Sequence, residues 1–226
     1  MALTIAFDVY GTLLDMNGAH HSIAKLSPDI DAERFAATLR QKQLEYTFRR
    51  ALMGQYTGFD QCTRDAIDYC CALFEIDTTE RQKSMLMDAY AHLPAYGDVR
   101  HCLSDLGKLP VKLVAFSNAE PATLHELLSH ASIESYFDQT ISVEAVASFK
   151  PDPRVYHHLI ETCKTSARKL YLVSGNAFDL IGANAVGIKT IWCQRNTNTH
   201  YDPWGGRPDH TISSLEGLAE VIGTGL

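Results

Sequence analysis

The sequence lacks the cysteine spacing shared by zinc-binding and thioredoxin-like proteins. Its six cysteines are scattered along the chain, and no two of them stand in a Cys-x-x-Cys pair. Structural zinc sites and redox-active dithiols both use such pairs, so neither class of protein is indicated. Thiols without regular spacing are typical of proteins in a reducing compartment, and we therefore expect a cytoplasmic protein.

An excess of positive charge and long apolar runs are missing as well. The chain carries 20 Lys and Arg against 27 Asp and Glu, for a net charge of −7. An acidic chain is a poor partner for nucleic acid or an anionic membrane surface, although a few local cations can still bind a small anion. No apolar run of about 18 residues occurs, so no transmembrane helix is expected. No secretory signal is expected either, because the start MALTIAF has no basic leader and reaches Asp8 at once.

The residues that are present favour an α/β fold. With 226 residues, 46% of them hydrophobic, the chain suffices for one α/β domain with an insertion or for two small domains. Short apolar segments rich in β-branched residues predict strands over residues 3–7, 111–116, 139–143, 169–173 and 189–193. Helices are predicted over residues 121–130, 154–164, 178–185 and 213–222. This alternation is typical of a Rossmann-like, doubly wound parallel sheet with helices on both faces.

Residues 17–92 interrupt this alternation with helical segments alone. Helices are predicted there over residues 31–50, 58–74 and 79–92. Because these helices lie between the first strand and the rest of the sheet, we interpret them as an inserted helical cap domain. The predicted domains are a Rossmann-like core of residues 1–15 and 96–226 and a cap of residues 16–95. The segment 94–97, with its Pro and Gly, is the predicted return hinge.

Four polar clusters follow predicted strands or lie just beyond them. They are residues 8–12, 117–118, 150–152 and 174–179. Ligands of an open parallel sheet bind beyond the carboxyl ends of its strands, so the clusters are candidates for one site. Turn chemistry accounts for any single cluster, since Asp, Ser, Asn and Gly are common turn residues. Four clusters of these residue types, in this order, are much harder to explain as turns alone.

The motifs in these clusters resemble those of a known family. The sequence contains FDVYGTLLD, FSNA, FKPDPRVY and VSGNAFD, in the order of the nucleophile, hydroxyl, lysine and acidic motifs of the haloacid dehalogenase superfamily. The segment LRQKQLEYTFRRALMGQY, which contains Arg40, resembles the first cap helix of the L-2-haloacid dehalogenase branch. The resemblance runs essentially from end to end. It implies hydrolysis of short L-2-haloalkanoic acids to D-2-hydroxy acids by a homodimer that needs no cofactor, with the 2-haloacid and water as its small-molecule partners.

The resemblance also implies a role for each site residue. Asp8 is the nucleophile that expels halide and forms an ester, and Lys150 is the cation that keeps it ionised. Arg40 stabilises the departing halide, and Asn176 and Asp179 position or activate the water that hydrolyses the ester. The hydroxyls of Thr12, Ser117 and Ser174 bind Asp8 or the substrate carboxylate. The halide and substrate pocket is lined by Tyr10, Leu44, Phe59, Asn118, Tyr156 and Phe178.

Each role has a structural alternative. A lysine before a turn is commonly exposed, and an arginine in a helix rich in Arg, Gln and Lys commonly lies on a solvated face. Asp179 also suits the first turn of a helix, where an acid is favourable, and the hydroxyls suit turns and caps. The two pocket phenylalanines, Phe59 and Phe178, equally suit a plain hydrophobic core.

Two departures separate the sequence from the phosphatases of the same superfamily. Those enzymes usually carry a second Asp two residues after the nucleophile, which protonates the leaving alkoxide, and here that residue is Tyr10. They also hold Mg²⁺ partly through an Asp of the fourth motif, and here that residue is Gly175. Because halide leaves without a proton, these departures favour a metal-independent dehalogenase. A Mg²⁺-dependent phosphatase and a non-catalytic protein that kept the fold remain as alternatives.

Two further departures concern the dehalogenase branch itself. Gly175 stands where close relatives often have Ser, and Phe178 stands where they have Trp. Both changes alter side-chain volume near the predicted pocket. The chain length and the halogen preferred by the substrate therefore stay open.

Overall fold

A parallel sheet of six strands lies at the centre of the structure, a computed structural model that describes residues 2 to 223. The strands are β1 (Leu3–Asp8), β2 (Val111–Ser117), β3 (Gln139–Ser142), β4 (Leu170–Ser174), β5 (Lys189–Cys193) and β6 (His210–Ile212). Their order is β3-β2-β1-β4-β5-β6, and each neighbouring pair is parallel. The central strands are buried along almost their whole length, as parallel strands covered on both faces are.

The topology places a switch point at β1. This strand pairs with β2 on one side and with β4 on the other, so Asp8 lies beside Phe116 and Phe7 beside Val173. The carboxyl ends of the three strands therefore open at one edge of the sheet. Ligands of doubly wound sheets bind at this place.

Four of the five α-helices between β1 and β2 form one helical group. They are α1 (His20–Ala24), α2 (Ala32–Met53), α3 (Phe59–Leu73) and α4 (Glu80–Ala91). Local signals fix their ends: Asp31 accepts the backbone N–H of Arg34 at the start of α2, and Gly54, with φ of 64°, ends that helix. Thr79 forms a capping box with Gln82 at the start of α4. Helix α2 packs along α3, while α1 and α4 complete the group.

The chain enters and leaves this helical group through two paired segments. Asp15 donates its backbone N–H to Pro94 O at 2.8 Å, and Tyr96 donates its own to Leu13 O at 3.0 Å. Leu14 and Ala95 also form an antiparallel bridge. The boundaries of a cap domain at residues 16 and 95 stay a prediction, and they fall within these two segments.

Five more helices follow β2 or directly precede it within residues 2–223. They are α5 (Val99–Leu106), α6 (Pro121–His130), α7 (Pro153–Thr162), α8 (Ala177–Ala185) and α9 (Leu218–Gly223). Helices α6 and α7 each begin with a proline, whose fixed φ suits the first helical turn. With the helices on the sheet, the predicted α/β fold class is confirmed.

The predicted helix over residues 213–222 is wrong in its first half. Helix α9 begins only at Leu218, because Gly217 takes φ of 79°, a left-handed conformation that interrupts a helix. The short elements α1, α5 and β6 were not predicted. The five predicted strands are present, with ends that differ by about one residue. Met1 and residues 224–226, which the predicted core domain includes, lie outside the described residues.

Two smaller expectations concern the cysteines and the membrane. All six cysteines are buried and have free thiols. Burial raises the pKa of several of them, such as Cys62 and Cys163, each to about 11. In the part of the chain from residue 2 to residue 223, no helix is long and apolar enough to cross a membrane.

Candidate active site

Asp8, the last residue of β1, lies at the switch point and is 6% exposed. Its two carboxylate oxygens have different partners. Oδ2 accepts hydrogen bonds from Asn176 Nδ2 at 2.7 Å, Thr12 Oγ1 at 2.8 Å and Ser174 Oγ at 3.1 Å. Oδ1 accepts one from Lys150 Nζ at 3.0 Å. One oxygen is thus surrounded by three neutral donors, while the other keeps room for a further partner.

Lys150 lies between two carboxylates and is 2% exposed. Its Nζ donates to Asp8 Oδ1 at 3.0 Å, to Asp179 Oδ2 at 2.8 Å and to Phe116 O at 2.9 Å. An ammonium group has three protons, so each has an acceptor. The predicted pairing of Lys150 with Asp8 therefore has the geometry of a buried ion pair, and Asp179 shares the same cation.

The charges in this cluster shift its pKa values apart. Burial opposes ionisation of Asp8, but the charge of Lys150 and hydrogen bonds from Thr12, Lys150 and Asn176 outweigh it and hold its pKa below the ordinary value. Burial, together with the negative charge of Asp8, raises the pKa of Asp179 to about 6, although Lys150 opposes this. Burial opposes the charge on Lys150 too, but the two carboxylates raise its pKa above the ordinary value. The cluster at neutral pH thus holds an ionised Asp8 beside an acid poised near neutrality.

The loop after Asp8 is held from the far end of the chain. Thr12 Oγ1 accepts the backbone N–H of Gly175 at 2.8 Å, which orients its own proton toward Asp8. Arg195 donates to the carbonyl oxygen of Thr12 from Nη2 at 2.7 Å and from Nε at 3.1 Å, and it pairs with Asp98. Sequence reasoning missed Arg195, because nothing in its local sequence links it to a residue 183 positions away.

Gly175 lies where a side chain would meet the backbone. A Cβ atom at this position would lie 2.5 Å from Gly11 O and 3.3 Å from Cys193 O. Any larger residue at position 175 would therefore displace either the loop after Asp8, which contains Gly11, or the end of β5, which contains Cys193. The same loop depends on a second glycine, since Gly11 takes φ of 75°.

The residues at this edge of the sheet do not fit the Mg²⁺ that phosphatases of the superfamily hold. The ammonium of Lys150 occupies the space between Asp8 and Asp179. The second oxygen of Asp179 accepts the hydroxyl of Tyr156 at 2.8 Å, and Gly175 supplies no carboxylate. Across residues 2–223, no group of three or more His, Cys, Asp or Glu side chains is placed to hold a metal ion.

Arg40, on α2, reaches the site from the helical group. Its Nη2 lies 3.5 Å from Asn176 Oδ1, and Asn176 in turn bonds to Asp8. Its Nη1 donates to Gln43 Oε1 at 2.7 Å, and Gln43 Nε2 donates to Thr63 Oγ1 at 2.6 Å. Burial lowers the pKa of Arg40, but Asp8 opposes this and a guanidinium stays charged in proteins. Sequence reasoning missed Gln43, although residues three apart on a helix are neighbours.

Aromatic side chains of the helical group and of the core pack against one another as a wall. The rings of Tyr10 and Phe59 lie 5.4 Å apart between centroids, and Phe149 lies 6.4 Å from Phe59. Phe178, in the first turn of α8, contacts Phe48 of α2 edge-on at 5.4 Å. Leu44 lies one turn after Arg40 on α2 and is half-buried. The wall thus combines residues from the helical group and from the core.

Three other predicted site residues bond to neighbours of the cluster. Ser117 Oγ accepts the backbone N–H of Ala119 at 3.1 Å, and Asn118 Oδ1 accepts that of Lys150 at 3.0 Å. Tyr156 is fully buried, and its hydroxyl lies 2.8 Å from Asp179 Oδ1. Tyr156 therefore lies behind Asp179, where it orients the acid, and its burial differs from that expected of a residue lining an open pocket.

Known proteins share this combination of fold and motifs. The family model of haloacid dehalogenase-like hydrolases matches residues 3–187. The chain belongs to this family. An (S)-2-haloacid dehalogenase of Pseudomonas sp. (strain YL) is 36% identical over 220 residues, which are 97% of this chain and 94% of that protein. Haloacetate dehalogenase H-2 of Moraxella sp. (strain B) is 32% identical over 218 residues, which are 96% of each chain.

Solved structures of the haloacid dehalogenase family show the same architecture. L-2-haloacid dehalogenase from Xanthobacter autotrophicus, with chloropropionic acid covalently bound, superposes with a TM-score of 0.93 at 28% sequence identity. The match covers 98% of this chain and 98% of that one. The resemblance seen in the motifs is thus confirmed as family membership over nearly the whole chain.

Proposed function

We propose that the chain is an (S)-2-haloacid dehalogenase. It hydrolyses short L-2-haloalkanoic acids to D-2-hydroxy acids through an ester on Asp8, without a metal or other cofactor. The observation that carries this proposal is the buried ion pair of Asp8 with Lys150 at a site where Tyr10 and Gly175 stand in place of the acid and the metal ligand of the superfamily's phosphatases. Lys150 keeps the Asp8 carboxylate ionised for attack. Halide, unlike an alkoxide, leaves without a proton.

In the first step Asp8 displaces the halide. Oδ1 is the attacking oxygen, since it accepts one hydrogen bond whereas Oδ2 accepts three. The new bond joins Oδ1 to C2 of the substrate as the carbon–halogen bond breaks, and the halide leaves with the electron pair. Arg40 lies one side chain away from Asp8, through Asn176, and its charge stabilises the departing anion. Attack from behind inverts C2.

In the second step water hydrolyses the ester. Oδ2 is now the carbonyl oxygen, and the three donors that surround it stabilise the negative charge that grows there when water attacks Cγ. Collapse of this intermediate breaks the Cγ–Oδ1 bond, restores the carboxylate and releases the hydroxy acid. Asp179, whose pKa is raised to about 6, takes one proton of the attacking water and passes it to the product alkoxide. The second proton of that water leaves Asp8 for the solvent as the carboxylate forms again.

The rest of the site binds and shields the substrate. The hydroxyl of Ser117 and the amide nitrogen of Asn118 donate to the substrate, since each side-chain oxygen already accepts a backbone N–H. The side chains that exclude water are Tyr10, Phe59, Leu44 and Phe178, and the exclusion of water strengthens the electrostatic interactions inside the site.

We further propose that residues 16–95 form a cap domain, that the protein is a homodimer and that it is cytoplasmic. The cytoplasmic location is supported by the six free thiols.

Isotope labelling tests the ester mechanism. In a single turnover with excess enzyme in ¹⁸O-water, L-2-chloropropionate should give unlabelled D-lactate, and the label should appear on the Asp8 carboxylate. The Asp8→Asn variant, checked by mass for deamidation, should release no halide. Label in the first lactate, or retention of configuration, would mean that Asp8 does not form the ester.

The same preparation separates the alternatives within the fold. Turnover should be unchanged in EDTA, and hydrolysis of aryl phosphates should be negligible. A strict Mg²⁺ requirement, or phosphate release faster than halide release, would favour a phosphatase. Absence of halide release from any short 2-haloacid of either configuration would favour a non-catalytic protein.

A further inference from the structure

Helix α3 begins at a residue that has no side chain to cap it. Its N-cap is Gly58, while the backbone N–H of Asp60 donates to both carboxylate oxygens of Glu120, at 3.2 and 3.3 Å. Glu120 belongs to the loop after β2 and is itself the N-cap residue of α6. Its side chain makes no capping bond to α6. The carboxylate therefore acts as the cap of a helix 60 residues away in sequence.

The contact is reciprocal. Asp60, in the first turn of α3, accepts a hydrogen bond at 2.7 Å from the hydroxyl of Thr123, in the first turn of α6. Glu120 thus lies at the start of α3, and Asp60 lies close to the start of α6. The partial positive charge of a helix N-terminus favours an acid at both places. Burial and the charge of Asp60 raise the pKa of Glu120 above its ordinary value. Asp60 and Glu120 keep these contacts only while the N-termini of α3 and α6 hold their relative position.

Gly58 makes the approach of Glu120 feasible. A Cβ atom on residue 58 would lie 1.8 Å from Glu120 Oε1 and 2.9 Å from Glu120 Cδ. Such distances are far inside van der Waals contact, so any other residue at position 58 would displace the carboxylate. Gly58 and Glu120 therefore form one structural unit, because the carboxylate of Glu120 occupies the space that a side chain at position 58 would need.

This unit lies next to two residues of the active site. Phe59 stands between Gly58 and Asp60, and its ring packs on Tyr10, two residues after the nucleophile. Asn118 stands two residues before Glu120 and bonds to the backbone of Lys150. Movement of α3 relative to the loop after β2 would therefore change the distance between the aromatic wall and the substrate donors.

We propose that Glu120 is a positioning residue that fixes the start of α3 to the core and thereby holds Phe59 against Tyr10. The kinetic part of this inference rests on the proposed dehalogenase activity. Without the Glu120 carboxylate, α3 moves between docked and undocked positions relative to the core. Only the docked position completes the pocket. The Michaelis constant then rises by the inverse of the docked fraction, while saturating substrate restores docking.

The first experiment compares Glu120→Ala with Glu120→Gln. Glu120→Ala should raise KM for L-2-chloropropionate by about fivefold to tenfold, the effect of a lost helix cap, with kcat within about twofold of wild type. Glu120→Gln should restore most of the wild-type KM, because its amide oxygen still accepts the N–H of Asp60. A purely structural role would instead lower the active fraction, and with it the apparent kcat, without changing KM. An unchanged KM in Glu120→Ala would overturn the proposal.

A double-mutant cycle tests the link to Gly58. Gly58→Ala alone should raise KM as Glu120→Ala does, but it should have little further effect in the Glu120→Ala background, where the clashing carboxylate is gone. Additive effects would mean that the two residues act separately, against the proposal. Thr123→Ala, which removes the second bond, should shift KM in the same direction. The control is Glu144→Ala, which removes an exposed carboxylate whose charge also faces Glu120, and it should leave KM unchanged.

Hydrogen exchange measured without substrate separates this inference from the proposed function. Amides at the start of α3, in a peptide spanning residues 57–64, should exchange about tenfold faster in Glu120→Ala than in wild type, and near wild-type rates in Glu120→Gln. Unchanged exchange would sink the positioning role even if the enzyme is an active dehalogenase. A wild-type protein that releases no halide would sink the proposed function, while faster exchange would still support the contact between α3 and the core.

Discussion

Lys150 and Asp179 form an ion pair in which Nζ lies 2.8 Å from Oδ2, with the two side chains 2% and 0% exposed. The same ammonium bonds to Asp8 at the end of β1 and to the Phe116 carbonyl in β2. One side chain thus joins three elements that meet at the switch point. A buried ion pair is an uncertain source of stability, but breaking it by removing one partner is costly, because the other charge is left unpaired.

Lys150→Met should therefore destabilise the protein as well as inactivate it. We expect the free energy of unfolding in urea at neutral pH to fall by about 3–5 kcal/mol, since two buried carboxylates lose their cation. The double variant Lys150→Met/Asp179→Asn should recover part of this loss. Lys108→Met, at an exposed lysine, serves as the control. A loss in Lys150→Met no larger than that in the control would contradict the ion-pair interpretation.

Gln43 should contribute to halide release through Arg40. Gln43→Leu keeps an uncharged side chain of similar bulk but removes the acceptor that holds Arg40 Nη1, so we expect the halide-release rate in a single turnover to fall by about tenfold. Arg40→Lys should lose more, because lysine keeps the charge without the planar guanidinium. Gln41→Leu is the matched control, since Gln41 is exposed on the same helix. Equal rates in the two glutamine variants would mean that Gln43 does not position Arg40.

The two chemical steps should differ in their pH dependence. Asp179 must be ionised to accept a proton, and its pKa of about 6 means that ester hydrolysis should slow as the pH falls through about 6. Asp8 has a pKa below its ordinary value of 3.8, so halide release should stay nearly constant over the same range. The apparent values belong to the coupled Asp8–Lys150–Asp179 cluster as a whole.

Rapid-quench single turnovers between about pH 4.5 and pH 8 measure both steps. Halide and ester are quantified separately, and the ester should accumulate at low pH. The Asp179→Asn variant should show slow ester hydrolysis at every pH. Parallel loss of both steps on acidification would argue against Asp179 as the base.

Gly175→Ala should impair activity although it adds only a methyl group. The new Cβ would lie 2.5 Å from Gly11 O, so the loop that carries Thr12 has to move. A displacement of the nucleophile's partners by about 1 Å corresponds to a loss in kcat of up to about 100-fold. Gly97→Ala, where a Cβ would meet nothing within 4 Å, should leave kcat unchanged. Wild-type kcat in Gly175→Ala would mean that this close approach has no bearing on the nucleophile.

Sequence reasoning located the regular elements best where a local signal marks them. The helix α2 has Asp31 at its start and Gly54 at its end, and each predicted strand carries a compact apolar run. It failed where the signal is weak or absent, as in the three-residue strand β6 and the eight-residue helix α5. In the C-terminal region the left-handed conformation of Gly217 overrode a helical pattern.

For the site, the sequence by itself determined which chemical groups are present and which strand ends carry them. Asp8, Lys150 and Asp179 stand in recognisable motifs, and Tyr10 and Gly175 already set the chain apart from the phosphatases. Their convergence follows from the parallel sheet, because a strand order of β2-β1-β4 brings three carboxyl ends to one edge.

Only the tertiary structure decided how those groups are partnered. It put one ammonium between two carboxylates, three donors on one oxygen of Asp8, and Arg195 on the carbonyl of Thr12. It also set Glu120 over the start of α3. Hydrogen bonds of this kind depend on distances of a few tenths of an ångström between residues far apart in the chain. Local sequence patterns encode periodicity and turns within a few residues, so they carry no information about such distances.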